Sequence, residues 1–180
     1  MDNYVQTKGG QLKREDLLAL VKSMSSSNLK NYAFKNTGGF QFKNTSDEWG
    51  LAELANSNGA AYADLDLDGD LDLVINNLNY PAMVYENQAI QHNSGNFLKI
   101  QLNGKGGNTF GFGAKVKIFY QGKEQVQELT PFRGFQSSVA PYLIFGIGNS
   151  VSVDSIHIHW PSGSFEKIGN TSTNTTLKLK

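Results

Sequence analysis

Five aspartates recur at alternate positions in Asp64-Leu65-Asp66-Leu67-Asp68-Gly69-Asp70-Leu71-Asp72. On one straight strand they would all share a face, because successive side chains alternate. Two carboxylates ~5 Å apart repel by about 3 kcal/mol at an effective dielectric of about 20. A ladder of five would not persist without a counter-charge. Gly69 offers an escape, since glycine enters positive φ freely and lets the chain turn back on itself. The resulting tight loop would aim several carboxylate oxygens inward.

Such a loop suits a hard cation. Ca2+ takes about 6–8 oxygen ligands, supplied at alternate positions of a loop with glycine at its sixth position. Asp64, Asp66 and Asp68 occupy the first, third and fifth positions, and Gly69 the sixth. Asp70 would contribute its backbone carbonyl and Asp72 its side chain. Magnesium fits less well, because it demands octahedral geometry and keeps several waters. The flanks Ala60 to Ala63 and Leu73 to Ile75 are strand-like, so this is not a helix–loop–helix calcium site.

Other chemistry-bearing residues are weaker candidates. His157 and His159 lie two apart, on one face of a strand, without an identifiable third ligand. They read as polar residues opposite Ile156, Ile158 and Trp160. Glu128 and Arg133 bracket Thr130-Pro131-Phe132, and an ion pair fixing that turn is expected. The same pair could instead orient a ligand carboxylate or phosphate. Ser137-Ser138 lacks a Gly-x-Ser-x-Gly frame. The glycine-dense 104–113 stretch lacks the Gly-Lys-Ser/Thr ending of a phosphate loop, and is expected to be mobile.

The elements that must position these residues are mostly strands. Arg14 to Met24 alone reads as a helix, with Leu17, Leu18, Leu20, Val21 and Met24 at helical spacing. Ser25 to Asn28 should end it. Tyr32 to Asn36 and Phe40 to Asn44 flank Thr37-Gly38-Gly39 as a hairpin. Short strands follow at Ala60–Leu65, Leu71–Ile75 and Ala82–Asn87. A composition change at Gln88 to Gly95 suggests a boundary. Beyond it strands recur every ~8–12 residues, as in a sandwich. They are expected at Phe97–Leu102, Ala114–Tyr120, Val126–Thr130, Tyr142–Phe145, Ser155–Trp160, Phe165–Ile168 and Thr176–Leu179.

Composition narrows the function further. The chain has 180 residues, with 16 basic and 16 acidic side chains and no net charge. A nucleic-acid partner is not expected, because phosphate binding calls for basic excess. Cysteine is absent, which removes disulfides, thiolate zinc sites and cysteine nucleophiles. No apolar run approaches the ~20 residues of a membrane helix, so membrane insertion is not expected. The first ten residues carry no apolar signal core.

The stretch Ala61 to Asp64 through Asp72-Leu73-Val74 resembles the FG-GAP/VCBS repeat, the calcium-bearing unit of integrin-like β-propellers. Phe34-Lys35-Asn36 with Phe40, Gly50-Leu51, and Met83 to Asn87 resemble neighbouring parts of such repeats. Gly111 to Val116, Arg133 to Ser138, Phe145 to Gly148 and Trp160 to Gly163 resemble, in order, the ASPIC/UnbV domain. That domain follows VCBS repeats in bacterial envelope proteins and in cartilage acidic protein, and the likeness runs from about Asn96 to Lys180. A propeller needs about 4–8 blades, so this chain cannot close one and reads as the C-terminal piece of a longer envelope protein.

The expected architecture is mainly β with one helix. Residues 1–30 form a helical segment, 31–94 a partial calcium-binding repeat region with propeller-type hairpins, and 95–180 a β-sandwich. Trp49, Leu51 and Tyr85 are expected to help join the two β parts. The resemblance implies secretion, to the periplasm, outer surface or extracellular space. It also implies structural Ca2+ and a binding or scaffold role, toward a glycan or a protein, without catalysis. The competing expectation is an enzyme or accessory domain in polysaccharide processing, with any site around Glu128, Arg133 and His157.

Overall fold

The computed structural model describes residues 13–23, 29–133 and 137–180. Met24, the Ser25–Asn28 helix stop and Gly134-Phe135-Gln136 of the Arg133–Ser138 motif lie outside the described residues. The chain divides into two compact units, Met1–Ser57 with Leu78–Tyr80, and Asn58–Asn77 with Pro81–Lys180. The second unit crosses the composition change at Gln88 to Gly95 and takes in the Asp-rich loop.

The first unit holds helix α1 (Arg14–Ser23), with Glu15 and Asp16 in its first turn and Lys22 in its last. These charges oppose the helix macrodipole. None of its residues is buried, and Leu17, Leu18 and Val21 stay exposed. Strand β1 (Leu29–Lys30) precedes the expected hairpin, formed by β2 (Phe34–Gly38) and β3 (Gln41–Asn44). The register Phe34↔Asn44 shifts by one residue before Gly38↔Gln41. Asn36 Oδ1 accepts the Gly38 N–H at 2.7 Å, fixing the turn. Strand β4 (Leu54–Ala55) pairs with β1. Among the described residues, this unit buries little beyond Thr45, Ser46 and Ala55. Trp49 is 50% exposed.

The second unit holds β5 (Ser57–Ala63) from its second residue on, β6 (Asp72–Asn77) and β7 (Met83–Tyr85), and these strands form one three-stranded sheet. The Asp-rich loop joins β5 to β6. Then follow β8 (Asn96–Leu102), β9 (Lys115–Tyr120), β10 (Lys123–Glu128), β11 (Leu143–Gly148), β12 (Ser152–Val153), β13 (Ser155–His159), β14 (Phe165–Ile168), β15 (Thr171–Ser172) and β16 (Thr175–Leu179). Sheet β10-β9-β13-β14 is antiparallel, and sheet β11-β8-β16 contains a parallel β16–β8 pair. Two-residue alternation explains their core. Leu98, Ile100 and Leu102 of β8, Val116, Ile118 and Tyr120 of β9, Leu143, Phe145 and Ile147 of β11, and Ile156 and Ile158 of β13 cluster together, buried. Residues between them point outward, which places Lys99 on the outer face of β8.

The protein is therefore mainly β, with a sandwich-like core whose sheets do not close into a barrel. Edge strand β10 carries Lys123, Glu124 and Glu128, which disfavour pairing with a further strand. The expected strand at Val126–Thr130 begins earlier and ends at Glu128. Residues 170–176 contain β15 and a positive φ of 54° at Asn174. Among the described residues, no helix is long and apolar enough to cross a membrane.

Candidate metal centre

The loop turns where glycine permits. Gly69 has a φ of +103°, and a Cβ there would overlap the Phe97 ring of β8. Leu67 is also left-handed, at +66°. Backbone N–H groups then meet the aspartates. Asp66 Oδ1 accepts the Asp68 N–H at 3.2 Å, Asp68 Oδ1 the Asp70 N–H at 3.0 Å, and Asp64 Oδ1 the Gly69 N–H at 3.3 Å.

Asp64, Asp66 and Asp68 each bring one carboxylate oxygen within 4.8 Å of the others. Asp72 ties the loop's ends. Its Oδ2 accepts the Leu65 N–H at 2.9 Å, and its Oδ1 the Asn87 N–H at 2.8 Å. Asp70 is buried, at 8% exposure. Its Oδ2 accepts the Ile90 N–H at 3.2 Å, while its Oδ1 has no hydrogen-bond partner. Burial raises the Asp70 carboxyl above its ordinary value, and the charges of Asp68, Asp72 and Asp66 add to this against the Ile90 hydrogen bond.

The loop also meets a cation of the chain itself. Lys99 Nζ lies 2.7 Å from Asp64 Oδ2, with side-chain exposures of 16% and 1%. The same ammonium sits 4.2 Å from the centre of the Tyr142 ring, whose hydroxyl accepts the Asp64 N–H at 3.3 Å. Gln91 Nε2 donates to Asp68 Oδ2 at 2.9 Å. Sequence reasoning missed Lys99, Tyr142 and the donors on 87–91. Lys99 alone left a signal, as a lysine at an outward position between buried Leu98 and Ile100.

One ammonium cannot balance five carboxylates. The donor set, all hard oxygens with one of them buried and unmatched, fits an oxygen-seeking divalent cation. A thiophilic or imidazole-preferring metal has no ligands here.

The weaker candidates are placed elsewhere. His157 is flanked by the rings of Phe119 at 4.8 Å and Phe165 at 5.5 Å, and His159 by Phe165 at 4.9 Å. No third ligand joins them among the described residues. The expected Glu128–Arg133 ion pair does not form. Glu128 faces Lys115 at 3.7 Å, across the β9–β10 pair. Arg133 donates through Nε to the Tyr62 hydroxyl at 2.8 Å, and through an Nη to the carbonyls of Thr130 and Phe132. Both side chains line a cavity of about 360 Å³ with Tyr62 and Tyr142. The 104–113 loop is closed by its own bonds: both ends of the Asn108 amide bond the Phe112 backbone at 2.9 Å.

No curated protein matches the chain. No FG-GAP or VCBS repeat is detected in it. Residues 104–180, which supply β9 to β16 of the sandwich, match the family described as ASPIC and UnbV, and this C-terminal stretch is an ASPIC/UnbV domain.

Proposed function

We propose that this chain is a non-catalytic binding or scaffold module whose Asp-rich loop is set by calcium. The reading rests on one observation above all. The buried Asp70 Oδ1 has no partner, beside three aspartates that bring oxygens within 4.8 Å of each other. A buried, unpaired carboxylate oxygen is costly, and a divalent cation removes that cost. Asp64, Asp66 and Asp68 would hold the ion, with Asp70 as the fourth acidic donor. The role of the ion is structural: it cancels repulsion and stiffens the β5–β6 connection.

The strand–Asp loop–strand arrangement supports reading 58–87 as a single VCBS-type unit, belonging to a longer chain that works outside the cytoplasm. The ASPIC/UnbV domain that follows supports the same reading, and the ligand class is a glycan or a protein. A thermal melt tests the calcium part. The full chain should melt higher in millimolar Ca2+ than in EDTA. A double Asp66→Asn, Asp68→Asn variant should lose that difference, and an equal rise in the variant would overturn the assignment. Release of product from a polysaccharide by this chain alone would overturn the non-catalytic part.

A further inference from the structure

A cleft of about 790 Å³ lies between the loop after β8 and the turn joining β13 to β14, lined almost wholly by residues of the ASPIC/UnbV match, with Asn103 just before it. Small-molecule sites typically span ~300–1,000 Å³. Both walls are firmly built. Gly104 N–H bonds the Thr109 carbonyl at 2.9 Å, and Gly111 N–H the Asn108 carbonyl at 3.1 Å. On the other side Trp160 and Ser164 close the turn, N–H to carbonyl, at 2.9 Å. Gly111, at a φ of +70°, lets Trp160 lie against the loop; a Cβ there would come within 3.0 Å of Trp160 Cζ3 and 3.2 Å of Leu102.

The lining chemistry is mixed in a particular way. Trp160 packs on the core and still borders the cleft. Phe165 is 54% exposed, with its ring held by His157 and His159. Around these rings stand Asn103, Ser162, Lys105 and Glu166. Among the described residues, the side chains of Asn103, Lys105 and Glu166 make no hydrogen bond or ion pair with another protein group. The Ser162 and Ser164 hydroxyls bond each other at 2.9 Å. Apolar ring faces beside an unpaired amide and unpaired charged groups of both signs suit a ligand with an apolar ring face and a rim of hydroxyls. That description is a saccharide, and the opposed charges favour a neutral one.

We propose that this cleft binds a neutral oligosaccharide, stacked on Trp160 and Phe165 and hydrogen-bonded by Asn103 and Glu166. The proposal rests on the binding-module reading and is independent of calcium. The test uses the full chain carrying Trp49→Phe, which leaves Trp160 as the sole tryptophan reporter. Cellohexaose, laminarihexaose, mannohexaose, chitohexaose and an oligogalacturonate are titrated separately. At least one neutral hexaose should change the emission saturably at millimolar concentration or below. Phe165→Ala and Asn103→Ala, both lining the cleft and outside the buried core, should each weaken that binding roughly tenfold. Loss of all neutral binding, equal binding in both variants, or salt-sensitive binding of oligogalacturonate alone would overturn the proposal. Calcium uptake measured on the same sample separates the two readings: uptake without saccharide binding sinks only the cleft.

Discussion

Asp70 behaves unlike an ordinary surface carboxylate. Its pKa is raised, by burial first and then by its acidic neighbours. In the metal-free protein the folded state therefore holds the Asp70 proton more tightly than the unfolded chain does. The sign follows from linkage: where the native state binds more protons, stability falls as pH rises. The loss begins at the ordinary aspartate value and is complete above the raised one. Asp70→Asn removes this charge. In EDTA at neutral pH the variant should melt no lower than the parent, with a weaker decline in stability across the mildly acid range. In calcium it should gain less than the parent does. Melting curves in both buffers from pH 4 to 7 check this. A variant that melts lower in EDTA and gains fully from calcium would contradict the role given to Asp70.

The element that carries the loop is the β5–β6 connection, seated on β8 through Gly69 against Phe97 and Asp64 against Lys99. Lys99→Met would leave Asp64 buried without its ammonium, at a cost on the order of 3 kcal/mol. In calcium the cost should be clearly smaller, because the ion would take over the balancing charge. Urea unfolding with and without calcium measures the difference, and equal losses would contradict it. This scale also shows what the sequence could reveal. The period-two runs Phe97–Leu102 and Phe165–Ile168 announced their strands, and Asp64 to Gly69 announced a turned acidic loop, because both signals are local. Glu128 and Arg133 misled for the opposite reason. Their sequence proximity suggested a pair, yet strand register gives Glu128 to Lys115, and Arg133 reaches Tyr62, 71 positions away. Lys99 meets Asp64 across 35 positions, a contact no local pattern encodes. The helix was legible from its spacing, but its apolar side Leu17, Leu18 and Val21 finds no burial. Periodicity tells which residues could face a core and not whether a core is there.

At the scale of the molecule, stability is unevenly distributed. The sandwich owns a contiguous buried cluster from Leu98 to Ile158, whereas the first unit buries few described side chains and exposes Tyr32, Phe34, Phe40 and Phe42. Local opening is easiest where few apolar contacts must break. Limited proteolysis in calcium should therefore cut within the described parts of 13–57 first and leave a fragment holding 58–180. Mass spectrometry of the products checks this, and first cuts inside β8 to β16 would contradict it. In EDTA, cuts should extend into 64–72. The central claim is that the Asp-rich loop takes up a hard divalent cation, and calorimetric titration of the chelator-treated full chain with CaCl2 tests it most directly. The account predicts one saturable site, with a dissociation constant of about 10⁻⁴–10⁻³ M or tighter, lost in the Asp66→Asn, Asp68→Asn double variant. A flat titration through millimolar calcium, or the same binding isotherm in the double variant, would contradict it.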